Sequence, residues 1–180
     1  MSSKRRVLAS AFLAISVVSY AGETKPALSN NSIIDTVVDC ATAVANPVAN
    51  CGFETGDFTG WIQSGDPTYT TVDGALPHSG AFALTTGPGT SLGCITQYLD
   101  TPTFSSYNLS FWRQNTGQPN ELQVYWNGSL VMDWSYVADV AYQQVSFQNL
   151  PTPGATTELD FCFYNPPSYF HFDDVVASGH

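Results

Sequence analysis

From Asn46 onward, short runs alternate apolar and polar residues with a period of two, and this pattern more than any other limits what the chain can become. Tyr107, Leu109 and Phe111 alternate with polar positions; Leu122, Val124 and Trp126 do the same, and so do Leu159, Phe161 and Phe163. Successive side chains of a strand point to opposite faces, so such runs bury one face of a sheet and wet the other. Turn-forming stretches separate them: Thr116-Gly-Gln-Pro-Asn120, Trp126-Asn-Gly128 and Pro151-Thr-Pro-Gly154. Outside the first residues no long stretch carries a capped helical repeat. The expectation is an all-β chain, an antiparallel β-sandwich of about eight strands.

The N-terminus reads differently. Met1-Ser-Ser-Lys-Arg-Arg6 precedes an apolar run from Val7 to Val18 and then Ser19-Tyr-Ala21, the layout of a secretory signal peptide spanning residues 1–21. The run is shorter than the roughly 20 residues a spanning helix needs. Residues 22–45 are weakly patterned and read as an N-terminal extension, and residues 46–178 as the sandwich. A secreted, freely released monomer is expected, with periplasm or cell surface as other destinations.

Of the five Lys and Arg residues, Lys4, Arg5 and Arg6 fall in the signal, so the mature chain keeps only Lys25 and Arg113 against fifteen acids. That balance repels phosphate backbones and anionic lipid, which argues against nucleic-acid and membrane partners. A neutral ligand or a cation suits it better. Four cysteines, Cys40, Cys51, Cys94 and Cys162, lie beyond the export signal, and an even count there suggests two disulfides. Three pairings are open; the preferred one joins Cys40 to Cys51 across a local loop and Cys94 to Cys162 between strands.

Two acidic clusters stand at opposite ends of the sandwich segment. One is Glu54, within Asn50-Cys-Gly-Phe-Glu-Thr-Gly-Asp-Phe-Thr-Gly-Trp61; the other is Asp173 and Asp174, within Phe172-Asp-Asp-Val175. A sandwich that sets its first and last strands side by side would bring these carboxylates together. They would repel one another unless a hard cation such as calcium sat between them. The opening NxGFExGxFxGW pattern and the closing FDDV resemble the CenC-like carbohydrate-binding modules, jelly rolls of the galactose-binding-like superfamily. The likeness spans roughly residues 46 to 178. It implies a structural calcium held by Glu54, by Asp173 or its rival Asp174, and by backbone oxygens around Ser79 and Gly80 in His78-Ser-Gly-Ala-Phe-Ala-Leu84.

The likeness also implies a sugar ligand, and the strands offer candidates for it. Sugars pack their C–H faces on aromatic rings and need planar polar groups for their hydroxyls. Trp112, Tyr125 and Trp134 suit the first requirement; Gln114, Gln123 and Arg113 suit the second. If Tyr107, Leu109 and Phe111 face the core, Trp112 and Gln114 face outward, and the same logic turns Gln123 and Tyr125 outward. One sugar-binding face carrying these residues is therefore expected, reading neutral polysaccharide or oligosaccharide, with Trp61 in the core. The competing expectation for Trp112 is that a loop covers it.

Catalysis finds little support. The sequence has no G-x-S-x-G elbow, and His78, His171 and His180 lack metal-binding spacing. Glycoside hydrolysis would need two carboxylates at a set separation, and Glu121 and Glu158 are the strand residues that would have to supply them. The main expectation is thus a non-catalytic, calcium-stabilised sugar-binding module. Its rivals are a structural or adhesive sandwich without a sugar site and a small jelly-roll hydrolase or lyase. Sequons at Asn30, Asn108 and Asn127 leave glycosylation open, although Asn127-Gly128 also suits a hairpin turn.

Overall fold

A computed structural model describes residues 40–43 and 45–180; the expected signal peptide and residues 22–39 of the expected extension lie outside them. Ten strands run in order: β1 (Ile62–Gly65), β2 (Thr70–Asp73), β3 (Ala83–Thr86), β4 (Gly93–Asp100), β5 (Ser106–Asn115), β6 (Glu121–Trp126), β7 (Ser129–Ser135), β8 (Val140–Pro151), β9 (Thr156–Tyr164) and β10 (Phe170–Gly179). They form two antiparallel five-stranded sheets, β1-β4-β9-β6-β7 and β2-β3-β10-β5-β8, stacked as a jelly-roll sandwich. The count exceeds the expected eight because β1 and β2 are four-residue edge strands, too short for alternation to reveal.

The periodicity works as read. On β5, Tyr107, Leu109, Phe111, Arg113 and Asn115 are buried and the residues between them half-buried. Leu122, Val124 and Trp126 turn inward on β6, as do Leu159, Phe161 and Phe163 on β9. Between the sheets Phe111 meets Phe161 edge-on at 5.1 Å, and Phe172 lies 4.6 Å from Phe161 and 4.8 Å from Phe111. Each buried Phe contributes roughly 1.5–3 kcal/mol through removal of apolar surface from water. Trp61 is buried as expected, stacked at 5.7 Å on Phe53.

Both preferred disulfides are present, Cys40–Cys51 and Cys94–Cys162. Cys94 and Cys162 are directly opposed between β4 and β9. The Asn127-Gly128 turn joins β6 to β7 with positive φ at both residues, as a tight two-residue hairpin requires.

Candidate functional site

The two acidic clusters converge on one loop. Asp173 closes its pairing with Trp112 of β5, and the register between β10 and β5 then slips by one residue before Val176. Asp174 takes the extra position at φ 50°, a bulge that lets two adjacent carboxylates serve the same side of the sheet. Asp173 accepts the amides of His78 (2.9 Å), Ser79 (3.1 Å) and Asp174 (2.8 Å). Asp174 accepts the Cys40 amide (3.0 Å) and the Ser79 hydroxyl (2.9 Å), and its Oδ2 lies 2.7 Å from Nδ1 of His78. Glu54, exposed, accepts the amides of Ala81 (2.9 Å) and Phe82 (3.3 Å). Gly80, at φ 62°, leaves room for it: a β-carbon there would stand 2.1 Å from Glu54 Oε1.

The groups facing the buried pair are N–H and O–H donors of His78, Ser79 and Cys40, so Asp173 and Asp174 are satisfied by the protein itself. Among the described residues no three His, Cys, Asp or Glu side chains stand close enough to hold a metal together. Burial pushes Asp173 up to about 7, Asp174 adding to the rise while the amides of Ser79, Asp174 and His78 oppose it.

Trp112 does turn outward, but the 78–82 loop covers it. The His78 ring stacks on the indole at 3.9 Å, and Tyr142 closes edge-on against His78 at 5.0 Å, its hydroxyl donating to the Leu76 carbonyl (2.7 Å). Burial, first, and then the charges of Asp173, Asp174 and Asp73 push the Tyr142 phenol up.

Next to this cluster the outward face of β2-β3-β10-β5 carries a polar row. Register aligns Thr71, Thr85, His171 and Gln114 across the four strands. The Thr85 hydroxyl donates to Asp73 Oδ1 (3.2 Å) and stands 3.2 Å from His171 Nδ1. With the threonine proton committed to Asp73, Nδ1 of the imidazole donates and its other nitrogen is the acceptor.

Beyond the row, at the ends of these strands, lies a groove of about 360 Å³ lined by Tyr69, Gly87, Gly89, Pro166, Pro167, Ser168 and Tyr169. Tyr69 is 63% exposed and Tyr169 37%. Gly87 lets the tyrosine approach: a β-carbon would meet the Ser168 carbonyl at 2.2 Å and the Tyr169 ring at 2.9 Å. Sequence alternation missed both tyrosines because they precede their strands. It also passed over Asp73, Thr85 and His171, whose polar spacing across separate strands has no local signature.

The remaining candidates lie elsewhere, which corrects the single sugar-binding face. Gln123 and Tyr125 are outward on β6, but β6 belongs to the other sheet, so they occupy the opposite side of the sandwich from Trp112 and Gln114. There they bond along their own strand, Tyr125 to Gln123 at 2.8 Å and Gln123 to Glu121 at 2.6 Å. Arg113 follows the core-facing phase of β5 and is 4% exposed. Trp134 opposes the buried Leu122 and shares its inward side, at the sandwich edge. Glu121 pairs with Tyr164 and Glu158 lies six residues further along β9, roughly 20 Å away at strand spacing. Two carboxylates about 5–9.5 Å apart would be needed for glycoside hydrolysis, so this pair does not supply it. Of the sequons, Asn127 is exposed in its turn, Asn108 accepts the Asn149 amide, and Asn30 lies outside the described residues.

No family model and no curated protein matches the chain. Solved structures do. A CBM61 carbohydrate-binding module in complex with β-1,4-galactotriose aligns at TM-score 0.66 and 18% identity, over 76% of this chain and 100% of that one. The fold is a jelly roll of the kind found in carbohydrate-binding modules. The enzymatically active domain of bacteriophage CBA120 tailspike protein 4 aligns at 0.58 and 14%, over 75% of this chain and 21% of that one. Clostridium thermocellum xylanase 10B, its CBM22-1 and GH10 modules complexed with xylohexaose, aligns at 0.58 and 16%, over 76% and 29%. At such identities the shared property is the fold, and no site residue transfers.

Proposed function

We propose that this chain is a secreted, non-catalytic module that binds neutral oligosaccharide or polysaccharide along the outward face of the β2-β3-β10-β5-β8 sheet. The observation that carries the reading is the continuity of two complementary surfaces. Thr85, His171 and Gln114 form a row of planar and hydroxyl groups, and the Tyr69–Tyr169 groove continues it at the strand ends. A sugar chain laid along the sheet would meet hydroxyl partners first and aromatic faces next. The acidic balance of the chain favours neutral ligands on this face. The motif likeness to CenC-like modules and the saccharides bound by two of the aligned structures support the same class. Export is supported by the signal-like N-terminus and the two disulfides.

Titration calorimetry against galactan, xylan and β-glucan oligosaccharides tests it. Constants in the micromolar to millimolar range are expected, about 4–8 kcal/mol. Tyr169→Ala and Gln114→Ala should each weaken binding at least fivefold, and Gln123→Ala should not. Loss through Gln123 with no effect of Tyr169 would move the site to the opposite sheet. The covered Trp112 favours a second reading, a structural or adhesive sandwich, which a blank glycan array with intact folding would select.

A further inference from the structure

Arg113 is the single Lys or Arg after residue 40, in a segment with twelve acids once Glu23, Asp35 and Asp39 are set aside from the fifteen. None of those acids pairs with it: the one contact of ion-pair length among the described residues joins His78 to Asp174. Arg113 is 4% exposed as a residue, Nη1 donates to Asn115 Oδ1, and Nε is buried with no acceptor. Burial alone lowers its pKa, with no nearby carboxylate to offset that cost. A buried cation without a carboxylate partner is costly, because one neutral acceptor and an aromatic ring offset only part of its desolvation.

Its surroundings open at the sandwich edge. Arg113, Asp133, Trp134, Ser135 and Val137 line a groove of about 470 Å³, and the guanidinium carbon stands 5.1 Å from the centre of the Trp134 ring. Trp134 remains 37% exposed. Asp133 opposes Gln123 and shares its outward side, the reverse of Trp134, so the cation and the indole meet on the side away from that carboxylate. Apolar packing at the mouth of an unpaired guanidinium is an arrangement that a ring-shaped ligand bearing a carboxylate would complete. A fork donor matches a carboxylate in two parallel bonds, each stronger than a neutral one.

We infer that the Arg113–Trp134 groove is a second binding site, separate from the neutral-sugar face, and that it takes a carboxylate-bearing sugar unit, a uronate. The acceptor oxygens meet the guanidinium where Arg113 lines the groove, and the sugar ring packs against Trp134. Asp133 is the one acid in the groove lining, and register sets it on the opposite side of its strand from Trp134; acids outside the groove are screened beyond about 8 Å at physiological salt, while the guanidinium acts at contact.

Tryptophan fluorescence and calorimetry on the full chain, with glucuronate and galacturonate as probes, decide the matter. Saturable binding is expected for at least one uronate, with acetate at least tenfold weaker and glucose inactive at this site. Arg113→Lys should weaken uronate binding tenfold or more, and Trp134→Ala should abolish it, while Gln114→Ala leaves it unchanged. Arg113→Met removes the uncompensated charge, so it should fold with equal or greater thermal stability yet lose the uronate. Equal binding of acetate would overturn the sugar assignment. A destabilised Arg113→Met together with undiminished uronate binding by Trp134→Ala would make the arginine purely structural.

Discussion

His78 lies face to face on Trp112, with ring centroids 3.9 Å apart and planes 16° from parallel, while its Nδ1 reaches the buried Asp174 carboxylate at 2.7 Å. One side chain thereby fixes the 78–82 loop over the sheet and closes the aromatic surface that the strand pattern had offered. His78→Ala would leave Asp174, which is fully buried, short of a partner. Removing one member of a buried pair costs about 3–5 kcal/mol, and the 22% exposure of His78 places the expected loss near the low end. Urea unfolding measures it; a loss under about 1 kcal/mol would show that the loop is held without this contact.

The sequence made the strands legible but not their partners. Alternation put Leu109, Phe111, Leu122 and Phe161 inward correctly, because period two is a property of a single strand. Which sheet a strand joins is a property of the whole topology: β5 and β6 are consecutive yet lie in different sheets, so two outward aromatics, Trp112 and Tyr125, ended on opposite sides. The inward place of Arg113 was readable from the phase of Tyr107, Leu109 and Phe111; a charged residue in a core phase was the overlooked signal. The bulge at Asp174 was not readable, since one inserted residue leaves no mark on composition or spacing. Even so, the two acidic clusters do meet at one loop, which the placement of chain ends in a sandwich anticipated.

His171 gives the fold a measurable pH response. Burial holds its imidazole below the ordinary 6.5, with Asp73 opposing. A histidine depressed on folding contributes stability that is complete above 6.5 and is lost as pH falls through the folded value. Asp173, raised to about 7, acts in the opposite sense, its effect lost as pH rises through that value. The informative quantity is therefore the difference between the parent and His171→Gln. Below pH 6.5 the parent should lose stability faster on acidification, by no more than roughly 1.4 kcal/mol per pH unit for one proton. Parallel melting profiles for the two proteins would assign the response elsewhere.

The Cys94–Cys162 bond spans 68 residues of chain and joins two strands already hydrogen-bonded to each other. In the chain-entropy model a loop of that length contributes roughly 4 kcal/mol. Cys40–Cys51 closes only 11, worth roughly 3 kcal/mol on the same basis, but it also holds the Cys40 amide against Asp174. Replacing both members of either pair by Ser should lower the melting temperature, and His78→Ala should compound more strongly with loss of Cys40–Cys51 than with loss of Cys94–Cys162. Additive losses in both combinations would separate the disulfide from the acidic cluster.

Calcium should stabilise the protein through Glu54 rather than through the Asp173 and Asp174 pair. Glu54 is exposed, and its contacts are two loop amides beside Gly80, so its carboxylate keeps lone pairs for a cation. The other two carboxylates already accept three donors each. Calcium at about a thousand times its dissociation constant would add roughly 4 kcal/mol, a melting rise on the order of 8–16 °C for a chain of this size. Calorimetry with calcium and with chelator measures the shift. Glu54→Gln keeps the size of the side chain and should remove most of the shift with little change in the metal-free melting temperature. A shift that survives Glu54→Gln would return the ion to the buried pair, and identical melting with calcium and with chelator would remove calcium from the protein's stability altogether.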